Sequence, residues 1–406
     1  MNYWLVTPPR FYFTDNFDGI TAWTERPCLP LVIKMLSDRL SCSNTNDQIV
    51  GALPDVSRRI TRTVFDDRLE LVYLVKHTRK APTPAKMMAA DSGTAAPTTD
   101  PLKYPIPVRW NLGIVGVQLA SCGLVFYATS LATHWWQLIG LAIIFAILGN
   151  SIYSIIHEAE HGILHPNGKL NDAIGVGMAL LFPASFHLIR QGHIGHHRRN
   201  RSDDEAFDLY YDGDRPWLKY LILYGILTGF YWMLVVLSNV IVACAPALLS
   251  RRFFEFDRPS VAFMESLNPK YMQSIRLEGL AACGLHVAII WLMDIPLLSY
   301  AVVYFGFGST WSAMQYVHHF GTERHVLRGS RNLWLFGPID WIWLHHNWHR
   351  EHHLRPTVPW IYLPELAENP EDRQRDFLIW HYLKMWRGPR KSEQRVENKF
   401  AGKIIH

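Results

Sequence analysis

The sequence predicts an all-α, multi-pass membrane protein. It would consist of two transmembrane helical hairpins, re-entrant or interfacial helices between them, and a cytoplasmic cap that carries histidine boxes. Three observations point there. Apolar runs near 113–132, 135–156, 276–294 and 297–319 are each close to the ~20 residues a helix needs to cross a bilayer. The runs come in two pairs, closed by tight links around Thr133-His134 and Asp294-Ile295-Pro296. Histidines collect in three spaced groups where apolar segments end, at 157–161, 193–197 and 349–353.

Composition supports this class. The chain has 406 residues, 49% of them hydrophobic, and a mean hydropathy of +0.00 that averages a polar first quarter with a strongly apolar remainder. The net charge of +5 matters less than its placement. Arg198, Arg199, Arg201, Arg251, Arg252, Arg350 and Arg355 lie in or beside the segments with the histidines, whereas the two tight links contain no Lys or Arg. By the positive-inside rule the histidine end faces the cytoplasm. Arginines scattered over membrane-flanking loops do not describe a nucleic-acid-binding face. The five cysteines, Cys28, Cys42, Cys122, Cys244 and Cys283, show neither a CxxC pair nor an iron–sulfur spacing.

Taken in order, residues 1–85 lack sustained helical or alternating periodicity and carry no signal-peptide pattern, so they read as a poorly ordered extension or a mis-called start. Residues 86–107 read as a flexible linker rich in Ala, Thr and Pro. A chain beginning at Met88 is therefore expected to fold and to keep its activity, and loss of both would make 1–85 a real domain. The membrane domain is placed at 108–370, followed by a polar tail over 371–406. Its first hairpin runs from about Trp110 to Ile156. The apolar stretch 174–186 is too short to span and holds Pro183, which predicts an interfacial segment. The stretch 218–249 has about 32 largely apolar residues, too many for one span and too few for an easy hairpin, so it reads as a re-entrant or strongly tilted pair. A second hairpin over 276–319 leads to the last histidine group.

The groups carry the chemistry. His157-Glu-Ala-Glu-His161, His193-Ile-Gly-His196-His197 and His349-Arg-Glu-His352-His353 use i, i+3 and i+4 spacings, which place imidazoles on one helical face. Imidazole binds divalent iron, copper, nickel and zinc. A single tetrahedral site fills with about four ligands, so eight converging nitrogens point to two ions.

The run from His346 through Asn347, His349, Glu351, His352 and His353 to Pro356, Val358, Pro359 and Trp360 resembles the third histidine box of membrane fatty acid desaturases. The first two boxes and the hairpins between them are similar to that family as well, over about residues 105–370. The resemblance implies a non-haem di-iron centre, two Fe ions, that activates O2 and attacks an unactivated C–H bond. It also implies a ninth ligand at the end of the span before the third box, preceded one turn earlier by an amide. Here Gln315 and His319 have that spacing, with His318 adjacent as the other choice. Glu158, Glu160 and Glu351 are either orienters of imidazole N–H groups or plain surface charges; Asp203, Asp204 and Asn347 are similar candidates. His165-Pro-Asn-Gly168 is no haem motif in this position, so electrons are expected from a separate ferredoxin, or cytochrome b5 with its reductase.

These features imply a fatty acid desaturase-like oxidoreductase acting on a lipid acyl chain. An acyl, alkyl or carotenoid hydroxylase, or an alkene-forming fatty acid decarboxylase, uses the same first hydrogen abstraction. A histidine-rich metal transporter is the reading from a different class, distinguished by loosely held zinc or copper in place of two tightly bound irons.

Overall fold

The computed structural model describes residues 5–7, 10–12, 103–248, 250–367 and 373–405. The chain divides into two units, Met1–Ser92 and Gly93–His406. In the first, strands β1 (Leu5–Thr7) and β2 (Arg10–Tyr12) form an antiparallel pair with Leu5 opposite Tyr12. The remainder of the extension expected over 1–85, and most of the linker expected over 86–107, lie outside the described residues.

The second unit is mostly helical. Helices α1 (Val108–Ser130) and α2 (Trp135–Glu160) are joined by a four-residue link; the His134 side chain accepts from the backbone of Gln137, and the Gln137 side chain accepts from the His134 backbone. Next come α3 (Gly168–Leu181) and α4 (Phe186–Arg199), bent by 101° at a break that contains Pro183, whose φ is 25°. Helices α5 (Pro216–Thr228) and α6 (Phe230–Cys244) are bent by 90° at Gly229, as in a broken span or a re-entrant loop. Gly229 has a φ of 90°, and a Cβ there would lie 2.8 Å from the Ser309 Cα. Both the left-handed backbone and the close approach therefore require glycine. The short α7 (Arg258–Ser266) precedes α8 (Met272–Leu292) and α9 (Leu297–Val317).

Among the described residues, three helices are long and apolar enough to cross a membrane: α1, α2 and the segment 269–292. The number rises to five if each bent pair is one span. Helix α9, expected as the second arm of a hairpin, has the length but is not among them. Ser299, Tyr300, Tyr304, Ser309, Thr310, Ser312 and Gln315 dilute its apolar character. The physical reason is its position. It packs along α2, with Phe307 against Gly149, and a Cβ on Gly306 would sit 2.7 Å from the Ala142 carbonyl oxygen. A helix surrounded by protein can carry small and hydrogen-bonding residues that a lipid-facing one avoids. By contrast α1 and α8 leave large apolar side chains such as Leu124 and Trp291 exposed.

The main core lies where α2, α3 and α9 meet, around Phe145, Tyr153, Phe182, Phe307 and Trp311. Beyond α9, the chain forms α10 (Gly337–Ile342), the short α11 (His349–Leu354) and α12 (Leu378–Met385). The C-terminal residues are not a loose tail. Strand β4 (Arg390–Lys391) pairs in parallel with β3 (Leu209–Tyr210), and the Ile405 N–H donates to the Ser266 carbonyl at 3.0 Å.

Candidate metal centre

Two short helices and the ends of two longer ones supply the site. Helix α2 ends in His157 and, at its C-cap, His161; α4 carries His193, His196 and His197; His319 follows α9; α11 carries His349, His352 and His353. The nine imidazoles fall into two groups. His157, His161, His193, His197 and His352 form one, and His196, His319, His349 and His353 the other; within each, one nitrogen per residue lies within 4.8 Å of all the others. The i, i+3, i+4 spacing on α4 and α11 therefore serves both groups. Rotation between i+3 and i+4 turns one side chain to each side of the helix face, so each helix lies between the groups.

The converging atoms are Nε2. In the first group His161 and His193 approach to 2.8 Å, His193 and His197 to 3.1 Å, and His197 and His352 to 2.9 Å. In the second, His319 lies 3.2 Å from His196 and 3.0 Å from His349, which is 3.2 Å from His353. So many lone-pair nitrogens cannot all satisfy one another through shared protons, whereas a cation at the centre of each group would satisfy them together. Burial first, and then the neighbouring imidazoles, push His349, His352 and His353 well below the usual histidine range. These rings are neutral at pH 7 and their lone pairs need not shed a proton to bind metal. The donor set fits a pair of transition-metal ions.

The other ring nitrogen distinguishes the ligands. His319 Nδ1 donates to the Gly329 carbonyl at 2.8 Å, which fixes its tautomer with Nε2 free to coordinate. His318 is fully buried, and its ring lies 4.6 Å from that of His349, yet it belongs to neither group. Of the two adjacent histidines, the geometry turns His319 inward. His319→Ala should therefore lower metal content and turnover sharply and His318→Ala much less; metal analysis of the two purified variants checks this, and the reverse order would move the role to His318.

The expected orienting residues divide. Glu158 and Glu160 are buried rather than surface charges, 3.9 Å from His157 Nδ1 and 4.0 Å from His193 Nδ1 respectively. Glu158 also accepts from the backbone N–H of Trp360 at 3.1 Å, which ties the first box to the Val-Pro-Trp segment after the third. The other candidates point elsewhere. Asp203 accepts from Tyr211, Arg324 and the Val396 backbone, and Asp204 from Asn398, so both hold the C-terminal segment in place of an imidazole. Asn347 donates to Asp340, Gln315 donates along its own helix to the Trp311 carbonyl, and Glu351 lies 3.6 Å from Arg355.

Two further residues near the rings are not among the ligands and orienters that the sequence suggests. His346 lies between the groups, its ring 5.0 Å from that of His157 and 5.2 Å from that of His349. Glu205, one residue past the two aspartates considered, reaches His196 Nδ1 at 3.0 Å. Its adjacency to the Asp203-Asp204 pair was the available signal.

Comparison with known proteins gives the class to which this arrangement of helices and histidines belongs. The chain belongs to the fatty acid desaturase family, whose profile matches residues 133–387. It is an oxidoreductase of the wider membrane desaturase and hydroxylase superfamily. It is similar to a beta-carotene ketolase of Paracoccus sp. (strain N81106 / MBIC 01143), 27% identical over 53% of this chain and 74% of the ketolase. It is also similar to a sphingolipid delta(4)-desaturase/C4-monooxygenase of Rattus norvegicus, 24% identical over 66% of this chain and 76% of that protein.

Proposed function

We propose that this protein is an O2-dependent, di-iron membrane desaturase that introduces a double bond into a lipid acyl chain. The observation that carries the reading is the pair of histidine groups, five and four imidazoles, brought together from four separate segments of the chain. His157, His161, His193, His197 and His352 would hold one iron and His196, His319, His349 and His353 the other. Two irons held there would bind O2 and supply the oxidising power needed to break an unactivated C–H bond. Removing one hydrogen from each of two neighbouring carbons takes O2, two electrons and two protons and gives an alkene and two waters.

The protein's part is to hold the ligands, exclude water and fix which carbon faces the centre. Neutral, buried imidazoles hold the metals without adding charge, and the aromatic core around Tyr153, Phe182 and Trp311 lies next to His157 and seals that side of the site. The electrons would come from a separate carrier such as a ferredoxin, or cytochrome b5 with its reductase. We further propose that α8 and α9 form a second transmembrane hairpin beside α1 and α2. The arginines at the histidine end support a site on the cytoplasmic side.

Oxygen insertion is the second reading, favoured by the similarity to a beta-carotene ketolase. It uses the same inputs and yields one C–O bond and one water, and small differences in substrate placement decide between the outcomes. Product analysis of membranes expressing the chain separates them. New acyl double bonds support desaturation, and hydroxylated or keto products support the second reading. Membranes with neither, from protein that holds two irons and is supplied with a donor, would refute both.

A further inference from the structure

We propose that Glu205 is a positioning residue that anchors the four-histidine metal position through His196, making the two metal positions unequal. The inference rests on the di-iron reading above. In the smaller group, two of the converging histidines place Nδ1 within hydrogen-bond reach of a non-histidine acceptor among the described residues: His319 at 2.8 Å from the Gly329 carbonyl and His196 at 3.0 Å from Glu205 Oε1. Only the second acceptor is a carboxylate. In the larger group, among the described residues, the carboxylate oxygens of Glu158 and Glu160 stand 3.9 Å and 4.0 Å from the Nδ1 atoms of His157 and His193, beyond hydrogen-bond reach.

Glu205 is itself built in. Its side chain is 13% exposed, and its second oxygen lies 3.3 Å from Arg199 Nε. That guanidinium gives the carboxylate a charge partner on the side away from His196. With Glu205 as acceptor of the Nδ1–H, His196 presents Nε2 to the other imidazoles, 3.2 Å from that of His319. The carboxylate also places a negative charge one ring away from a group that otherwise offers only neutral donors.

The surrounding sequence makes room for this arrangement. Helix α4 stops at Asn200, and Arg201 adopts a φ of 58°, so the chain turns back and brings Glu205 beneath His196. Gly195, inside the second box, lets the Arg199 guanidinium fold against the helix; a Cβ there would lie 2.5 Å from Arg199 Nη1. The glycine thus protects the partner of Glu205 without touching any ligand.

The test is iron binding to the full-length protein in detergent, followed by metal analysis at limiting iron and by Mössbauer spectroscopy. Wild type should hold two irons per chain. Glu205→Ala should bind one of the two about 10–100-fold more weakly and change the spectrum of that iron alone. Glu205→Gln retains an acceptor for Nδ1–H and should recover most of the loss. If the alanine variant does not accumulate, the glutamine variant decides alone, by a several-fold weaker second iron with an altered signal. Wild-type affinity and spectra in both variants would overturn the inference. So would loss of both irons in step with a falling Tm, the result expected of a merely structural residue. Wild-type protein that binds no iron would instead refute the di-iron reading, and this inference with it.

Discussion

His352→Ala should abolish turnover while leaving the protein folded. The residue sits on the six-residue α11, yet its Nε2 is 2.9 Å from that of His197 on α4, and its ring is 4.3 Å from that of His157 on α2. It is the sole contribution of the third box to the five-histidine group. Removing it takes away one donor and opens a path for water beside the others. Loss of an orienting partner alone typically lowers metal affinity or activity about 10–100-fold, so loss of a ligand should exceed about 100-fold. Iron analysis, product formation and far-UV circular dichroism of the same preparation check this. Full activity at normal expression would remove the metal assignment.

Asp208→Ala should produce the largest loss of stability. The Asp208 and Arg201 side chains are 2% and 0% exposed and pair at 2.5 Å. Tyr316 donates to Asp208 Oδ1 at 2.6 Å and the Gly321 N–H to Oδ2 at 2.8 Å. This cluster fastens the turn after the second box to α9 and to the segment after His319. Removing the carboxylate would strand a buried guanidinium, which costs about 3–5 kcal/mol. Replacing the pair together by Met and Leu should recover much of the loss, because the remaining charge is removed as well. Denaturant unfolding of the three proteins checks the order.

The pH dependence of this cluster has a definite sign. Burial works to raise the Asp208 carboxyl, but Arg201 and Tyr316 outweigh it and hold it below the usual range. Its stabilisation is thus complete above the unfolded value, about 3.9, and is lost as pH falls through the lower folded value. Asp208→Asn should flatten that acid limb of the stability profile.

Much of the architecture was legible because its signals are local. Apolar length marked α1, α2 and α8, and the segment holding Pro183 and the overlong stretch 218–249, read as interfacial and as re-entrant or tilted, are where the two sharp bends fall. Helix α9 was harder to classify, since apolar composition measures distance from water and does not separate lipid contact from protein contact. The same limit applies to acidic residues. Asp203, Asp204 and Glu205 are neighbours in sequence, but the turn at Arg201 sends the first two to the C-terminal segment and the third to His196.

The sequence by itself determined which histidines share a helical face, because i, i+3 and i+4 spacing is a property of one segment. It also determined that the first of these faces lies at the end of an apolar helix of membrane length, where hydrophobic length leaves few alternatives. Only the tertiary structure decided how nine imidazoles divide into five and four, why His319 and not His318 turns inward, and which carboxylate reaches a ring. Those outcomes depend on the angles at which α2, α4, α9 and α11 meet. The angles are set by contacts between residues more than a hundred positions apart, such as Gly149 with Phe307 and Arg201 with Tyr316.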